Sequence, residues 1–308
     1  MKKILIAGGT GFVGGYLAVH LKKIGYELHL LTRTLKDQSA SGVKYFEWDL
    51  KKSFIDINAF DGVDTIINLT GENISAGRWT SSRRLELIES RVLSLNLLFE
   101  YVKRHELNID KIISSSAVGY YGAYTSDTIL SEDSISGNDF LAHTCEVWEK
   151  AAWQFESLGV KTVILRKGII LGRNGGMYAK LAPLAKLGIN VSLGDGKQYI
   201  PWIDIHDVVR MYEFILDRTD IRGVYNAVAP QHITMNDFAY VLLRSFGRSS
   251  VLPNIPGFVI KLLYGDMAAM LLNGSRISAE KIRNKGFKFN YDTIARSLEN
   301  SSKSVIKS

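Results

Sequence analysis

The first fourteen residues contain a glycine pattern suited to holding the diphosphate of a nucleotide. Gly8, Gly11 and Gly14 recur at every third position in IAGGTGFVG (6–14), between an apolar run and an apolar-periodic segment. In a strand–turn–helix unit, the first glycine permits a tight turn and the second lets the backbone approach a pyrophosphate. The third lets the helix pack against the strand, and the helix N-terminus adds N–H donors. The pattern predicts a dinucleotide site.

A basic side chain follows the second predicted strand, at the position that selects between the nicotinamide dinucleotides. The run ELHLLT (27–32) leads directly to Arg33. An acidic residue here would bind the ribose hydroxyls of NAD, whereas a guanidinium pairs well with a 2′-phosphate. Lys36 is close enough in sequence to assist. Arg33 therefore favours NADP(H), the alternative being a solvated surface arginine.

Apolar strand-like runs alternate with helical patterns along the first 170 residues. This alternation predicts an α/β fold with a doubly wound, mostly parallel Rossmann-like sheet. We assign residues 1–170 to the dinucleotide-binding domain and expect residues 203–229 to return to it. Residues 171–308 are assigned to a smaller, mainly helical C-terminal lobe that holds the substrate.

Composition and charge argue against several classes of protein. The chain has 308 residues and a net charge of +7, but its basic residues are scattered, so we expect no nucleic-acid partner. The apolar stretch at 255–272 is interrupted by Lys261 and Asp266, which argues against a membrane span. Cys145 is the single cysteine and no two histidines are four residues apart, so no disulfide or metal site is expected. These features predict a cytoplasmic protein.

Four fragments resemble the extended short-chain dehydrogenase/reductases: GGTGFVG (8–14), INLTGENIS (67–75), SSSAVGYYG (114–122) and PWIDIHDVV (201–209). The chain is most similar to the atypical, nucleotide-sugar-epimerase-like subgroup named epimerase family proteins. Residues 255–300 resemble the C-terminal domain of unknown function found in that subgroup. The resemblance implies an NADP(H) cofactor held by residues of four segments, namely Gly8, Thr10, Gly11, Phe12, Gly14, Arg33, Asp49, Leu50, Leu69, Thr70 and Gly71.

The same resemblance implies that the usual catalytic set is incomplete. Ser116 matches the catalytic serine at the end of the fifth strand. The Tyr-x-x-x-Lys pair, which would supply the general acid and hold the nicotinamide ribose, is replaced by Leu141 and Cys145. Tyr120, Tyr121 and Cys145 are candidates for the missing acid. Their alternative roles are an aromatic wall for the tyrosines and a small apolar filler for the cysteine.

Candidate substrate contacts lie mainly in the polar loop GENISAGRW (71–79), which follows a predicted strand. Ligands of this fold bind at the carboxyl ends of the strands. Arg91 matches a position where typical members carry an active-site asparagine, although a structural ion pair is an equal alternative. The candidate set is Glu72, Asn73, Arg78, Trp79, Arg91 and Trp202.

Two functions follow from these features. The first is an NADP(H)-dependent oxidoreductase or epimerase-like enzyme acting on an unknown small polar substrate, with Ser116 orienting the substrate oxygen. The second is a non-catalytic NADP(H)-binding regulator that engages a protein partner, which the missing tyrosine and lysine favour. The sequence is compatible with a monomer or a homodimer.

Overall fold

The structure is a computed structural model that describes residues 2–34 and 42–303. Twelve strands occur in these ranges: β1 (Lys3–Ala7), β2 (Glu27–Thr32), β3 (Val43–Asp49), β4 (Phe54–Ile55), β5 (Val63–Asn68), β6 (Lys111–Ala117), β7 (Ile129–Leu130), β8 (Lys161–Lys167), β9 (Ile169–Gly172), β10 (Trp202–Asp204), β11 (Gly223–Ala227) and β12 (Arg276–Ile277).

Ten α-helices lie between and after the strands of the same ranges. They are α1 (Phe12–Lys23), α2 (Ser81–Arg104), α3 (Phe140–Trp153), α4 (Gly176–Lys186), α5 (Ile205–Leu216), α6 (Met235–Ser245), α7 (Gly257–Tyr264), α8 (Ala268–Leu272), α9 (Glu280–Asn284) and α10 (Ile294–Lys303). A 3₁₀ turn, Gln154–Leu158, extends α3.

Eight strands form the main sheet in the order β11-β8-β6-β5-β1-β2-β3-β4. Neighbouring strands are parallel except for the short antiparallel pair of β3 and β4. The chain builds outward from β1 first in one direction through β2 and β3, then in the other through β5, β6, β8 and β11. This doubly wound order confirms the predicted α/β Rossmann-like fold and places the switch point between β1 and β5.

Apolar side chains cover both faces of the central strands, which explains their continuous hydrophobic sequence. In β1, Ile4 and Ile6 join one buried cluster, whereas Leu5 points into the cluster on the opposite face. Leu17 of α1 and Tyr212 of α5 pack on the first face. Leu95 of α2 packs on the second, together with side chains of α3. The helices therefore cover the two faces of the sheet.

The smaller lobe has a separate apolar core built mainly from α4, α6 and α10. Of the segment 203–229, β11 pairs with β8 and forms the edge of the main sheet. Strand β10 instead pairs with β9 in a two-stranded sheet. Within the described ranges no helix is both long and apolar enough to cross a membrane.

Candidate functional site

The three glycines of the loop after β1 differ in what a side chain at each position would contact. Gly8 has φ +80°, a conformation that favours glycine. A Cβ on Gly14 would lie 2.3 Å from the carbonyl oxygen of Gly8, so helix α1 packs against the loop too closely for any side chain. A Cβ on Gly11 would meet only that same oxygen, at 3.4 Å. The packing of the protein therefore does not require a glycine at position 11, and the space beside it is open.

The N-terminus of α1 is open to an anion. Gly11 is its N-cap and provides no side-chain cap, and the first turn contains no acidic residue. Thr10, beside it, is exposed. Uncapped N–H groups and the positive end of the helix dipole attract phosphate, so the residues present fit a pyrophosphate.

The ring of Phe12 links this helix to the smaller lobe. A Cβ on Gly175 would lie 2.5 Å from the Phe12 ring, and one on Gly172 would lie 2.9 Å from it. The glycine-rich segment 172–176 therefore lies directly on the ring and covers the start of α1. Its glycines serve this close packing, which the sequence alone did not indicate.

The residues expected near the adenosine half lie at the ends of β2 and β3. Arg33 is exposed and makes no hydrogen bond or ion pair with any other described residue. Lys36 lies outside the described residues. Asp49 Oδ1 accepts the backbone N–H groups of Lys51 at 2.9 Å and Lys52 at 3.3 Å, which fixes the turn after β3. Leu50 is partly buried against the apolar cluster beneath.

The segment after β5 is held by helix α2. Thr70 Oγ1 lies 2.6 Å from Asn68 Oδ1 and 2.6 Å from Ser94 Oγ, while Leu69 packs on the core. Gly71 has φ +152°, and a Cβ there would lie 3.1 Å from the guanidinium carbon of Arg91. The segment 69–71 is therefore a fixed wall at the carboxyl end of β5.

Arg91 is buried and shapes the loop that follows. It donates to the carbonyl oxygen of Leu87 at 2.7 Å and to that of Glu72 at 3.0 Å. Its guanidinium also lies 5.0 Å from the Trp148 ring. No described carboxylate lies within 4.0 Å of it, so the alternative of a structural ion pair is wrong. Burial lowers the pKa of Arg91, because desolvation disfavours its charge.

Ser116 belongs to a buried polar network at the end of β6. Its Oγ donates to Glu149 Oε1 at 2.6 Å. Arg166 of β8 grips the same carboxylate with two N–H groups, each at 2.8 Å. All three residues are at most 5 % exposed. The network fixes the orientation of Ser116 and joins α3 to two neighbouring strands.

The two tyrosines after β6 pack around the same guanidinium. Tyr121 accepts from Arg166 at 3.1 Å and donates to Asn226 Oδ1 at 2.7 Å. Burial raises the pKa of Tyr121 to about 12. Arg166 also lies 3.3 Å from the centre of the Tyr120 ring. Both tyrosines thus act as an aromatic wall, which was their alternative role.

Leu141 and Cys145 lie one turn apart on α3 and face the end of β6. Cys145 Sγ is 3.6 Å from the carbonyl oxygen of Ala117, and burial raises the pKa of its thiol to about 12. A thiol in such surroundings is an inert, small apolar filler. Leu141 presents an apolar side chain to the cavity described below.

Lys167, the last residue of β8, was not identified from the sequence as a site residue. Its Nζ donates to Ser115 Oγ at 2.7 Å, and no carboxylate among the described residues pairs with it. Burial, with a smaller effect from the charge of Arg91, lowers the pKa of Lys167 to about 7. A lysine at the carboxyl end of a parallel strand was the available signal, because ligands bind at that edge.

Replacing Lys167 by methionine is expected to raise the free energy of unfolding by about 1–3 kcal/mol at pH 6. The folded-state pKa lies below that of the unfolded chain, so unfolding takes up a proton between the two values. The destabilisation of the folded state by the charge of Lys167 is therefore largest below pH 7, and it declines as the pH rises towards 10.5. Urea unfolding at pH 6, 8 and 10 measures this. The prediction would be contradicted if the gain in free energy of unfolding were the same at every pH. It would also be contradicted if the gain equalled that of Lys150→Met, a substitution at an exposed lysine.

The loop 71–79 is tied to both lobes. Asn73 Oδ1 accepts the N–H of Ser75, and Glu72 lies 3.5 Å from Arg83, so these two side chains stabilise the loop. Arg78 donates to the backbone carbonyl oxygens of Leu262 and Leu263 in α7.

An open cavity of about 780 Å³ lies beneath this junction. Trp79, Phe140 and Leu141 line it from the larger domain, and residues of α8 line it from the C-terminal side. Trp202 is not among the lining residues. It is fully buried in the core of the smaller lobe, where its Nε1 donates to the Gln231 carbonyl oxygen, so its role is packing. The described residues hold no cluster of three or more metal-ligating side chains.

The sheet order, the glycine loop and the cleft at the switch point define a Rossmann-fold protein of the nucleotide-binding, epimerase-like class. The chain belongs to the NAD dependent epimerase/dehydratase family, whose model matches residues 4–227. Residues 255–301 match a second model, a domain of unknown function (DUF1731). Both findings confirm the resemblance seen in the sequence.

Similar proteins span almost the whole chain. Epimerase family protein YfhF of Bacillus subtilis is 29% identical over 291 residues, 94% of this chain and 95% of YfhF. Epimerase family protein SAR0825 of Staphylococcus aureus is 31% identical over 305 residues, 97% and 98% of the two chains. The human epimerase family protein SDR39U1, solved with NADPH, superposes with a TM-score of 0.85 at 26% identity, covering 98% and 99%.

Proposed function

We propose that this protein binds NADP(H) along its glycine loop and uses it in an oxidoreductase or epimerase-like reaction. The substrate is a small molecule held in the cavity beside Leu141. The observation that carries the cofactor proposal is the glycine loop at the uncapped N-terminus of α1, where the protein leaves room beside Gly11 for an external group. The NADPH in the structure of SDR39U1 supports the same cofactor.

Each part of the cofactor has matching residues. The loop Gly8–Gly14 and the first N–H groups of α1 suit the pyrophosphate. The guanidinium of Arg33, which pairs with no other described residue, suits a 2′-phosphate, whereas NAD offers it only hydroxyl groups. Asp49 and Leu50 flank the adenine position, and Leu69–Gly71 forms the wall on the nicotinamide side. When bound, the nicotinamide ring donates or accepts a hydride.

Lys167 is our candidate for the group that holds or moves a proton. It lies at the carboxyl end of β8 with its Nζ 2.7 Å from Ser115 Oγ, and its pKa is about 7, whereas burial raises the pKa of Tyr121 and Cys145 to about 12. A catalytic acid or base works best when its pKa is close to the working pH. Ser116 keeps a single orientation through Glu149, so it positions neighbouring groups rather than exchanging protons.

Deuterium transfer tests the enzymatic function. Purified protein is incubated with fractionated metabolites and NADPH deuterated on one or the other face of nicotinamide C4, and products are examined by mass spectrometry. We expect one metabolite to gain deuterium from one face only, and Lys167→Met to slow the transfer by about 10²–10⁴-fold. Absence of label from every fraction, with NADPH bound, would contradict an oxidoreductase that reduces its substrate with NADPH.

A non-catalytic NADP(H)-responsive regulator is the second candidate. One observation favours it: the polar atoms of Ser116, Tyr121 and Cys145 all have partners within the protein and are buried. When these candidate reactive side chains only stabilise the fold, the protein can still bind the cofactor but does not catalyse a reaction. Unlabelled metabolites together with tight NADPH binding would support this candidate.

A further inference from the structure

The open cavity beside Leu141 is bounded on one side by residues 257–272, which we name the C-terminal roof. The roof comprises α7, a 3₁₀ turn at Gly265–Met267, and α8. It lies within the segment matched by the domain of unknown function. Arg84 forms an ion pair with Asp266 of the roof at 2.6 Å, and Arg78 holds the end of α7.

A buried apolar contact also fixes the roof in place. Met267 is 1% exposed and packs in a cluster with Trp79, Leu87 and Leu141. The Trp79 and Phe140 rings meet edge to face, with centroids 5.1 Å apart. The roof is therefore a packed wall of the cavity, and the domain of unknown function supplies half of the lining.

The lining offers mostly apolar surface from both sides. Trp79, Phe140 and Leu141 face Ala269, Met270 and other apolar roof residues across the cavity. Pockets of this kind recognise an apolar ligand body and use a few polar groups to orient it. A ligand that does not cover this apolar surface would lose most of the binding free energy that its burial provides.

The charged side chains of the lining are almost all committed to the protein. Arg84 and Asp266 pair with each other. Asp139 uses its two carboxylate oxygens to accept the N–H groups of Ala142 at 2.9 Å and Ala123 at 2.6 Å. Lys261 is the lining cation that pairs with no other described residue. Among the described lining residues, Lys261 is thus the cation without a carboxylate partner, and it suits one negative charge, whereas a nucleoside diphosphate would present two phosphates.

We propose that the roofed cavity binds a small molecule with an apolar ring or chain and a single negative charge, the charge meeting Lys261, and not a sugar nucleotide. That this molecule is the substrate rests on the proposed function, but its binding does not. Carbonyl compounds with an aromatic or aliphatic body and one carboxylate belong to this class.

The dye 8-anilinonaphthalene-1-sulfonate has this chemistry and serves as the probe. We expect a saturable, one-to-one fluorescence increase with the wild-type protein. Ala269→Trp fills the cavity from an exposed roof position and is expected to weaken binding by at least about tenfold. Lys261→Gln should weaken it by about three- to tenfold. Phe258→Ser is the matched control, because Phe258 is 72% exposed on the roof but does not line the cavity.

Three results would overturn the proposal. Loss of dye binding in Phe258→Ser but not in Ala269→Trp would place the dye on the outer surface of the roof. Displacement by NADPH would place it in the cofactor cleft, and displacement by uridine diphosphate would indicate a sugar-nucleotide site. Because the assay needs no turnover, it can fail while deuterium transfer succeeds, and the reverse. NADPH titration of Ala269→Trp checks that the variant is folded.

Discussion

Replacing Arg166 by methionine is expected to lower the free energy of unfolding by about 3–5 kcal/mol. Arg166 is 3% exposed and neutralises Glu149, which is 5% exposed, through two hydrogen bonds. Removing the guanidinium leaves a buried carboxylate whose other partner is the Ser116 hydroxyl. The loss is large because the charge is desolvated, not because ion pairs are strong in general.

Urea unfolding followed by tryptophan fluorescence measures this effect. Arg283→Met is the matched control, since Arg283 pairs with Glu280 at 2.6 Å but both side chains are about half exposed. That variant should unfold almost as the wild type does, because exposed ion pairs contribute little. The double variant Arg166→Met, Glu149→Gln should recover part of the loss. A single variant as stable as Arg283→Met would refute the role assigned to the network.

The second large effect concerns cofactor affinity. Gly11→Ala is expected to fold normally but to bind NADPH about 100-fold more weakly, a loss of about 2.7 kcal/mol. The reason is that Gly11 has φ −78°, which alanine adopts easily, and a Cβ there meets no protein atom closer than 3.4 Å. The added methyl group instead occupies the space that we assign to the pyrophosphate.

Two neighbouring glycines provide the controls. Gly14→Ala is expected to destabilise the fold itself, because its Cβ would lie 2.3 Å from a backbone oxygen. Gly15→Ala should change neither folding nor affinity greatly, since nothing lies within 4 Å of its Cβ. Calorimetric titration and urea unfolding separate the three. Undiminished NADPH binding by Gly11→Ala would show that the pyrophosphate does not approach this position.

Local patterns explain which features the sequence revealed. The glycine loop and the alternation of strands and helices depend on short-range spacing, so they predicted the doubly wound sheet and the place of Arg33. The N-cap of α6 also follows from local chemistry, since Thr234 accepts the N–H of Asp237. Helix α3 likewise begins after a local cap, since Asp139 accepts the N–H of Ala142.

Long-range contacts explain what the sequence did not reveal. Ser116, Glu149 and Arg166 are separated by 33 and 17 residues and meet only because β6, β8 and α3 pack together. No local pattern shows that Ser116 is already bonded to a carboxylate. Phe12 and Gly175 are also far apart in the sequence, and they meet because the smaller lobe packs against α1.

The incomplete catalytic set has a physical counterpart in the structure. Leu141 faces an apolar cavity, and Cys145 fills a small buried space beside the end of β6. The cations at the strand ends come instead from Arg91 on α2 and Lys167 on β8.

Calorimetric titration of the wild-type protein and Arg33→Asp with NADPH and NADH tests directly whether the protein binds NADP(H) and whether Arg33 selects it. The wild type should bind NADPH at least about tenfold more tightly than NADH, and Arg33→Asp should reverse or abolish that preference. Binding of neither dinucleotide by the wild type would contradict the central claim that the cleft is an NADP(H) site. Equal binding of both, unaffected by the substitution, would contradict the role of Arg33.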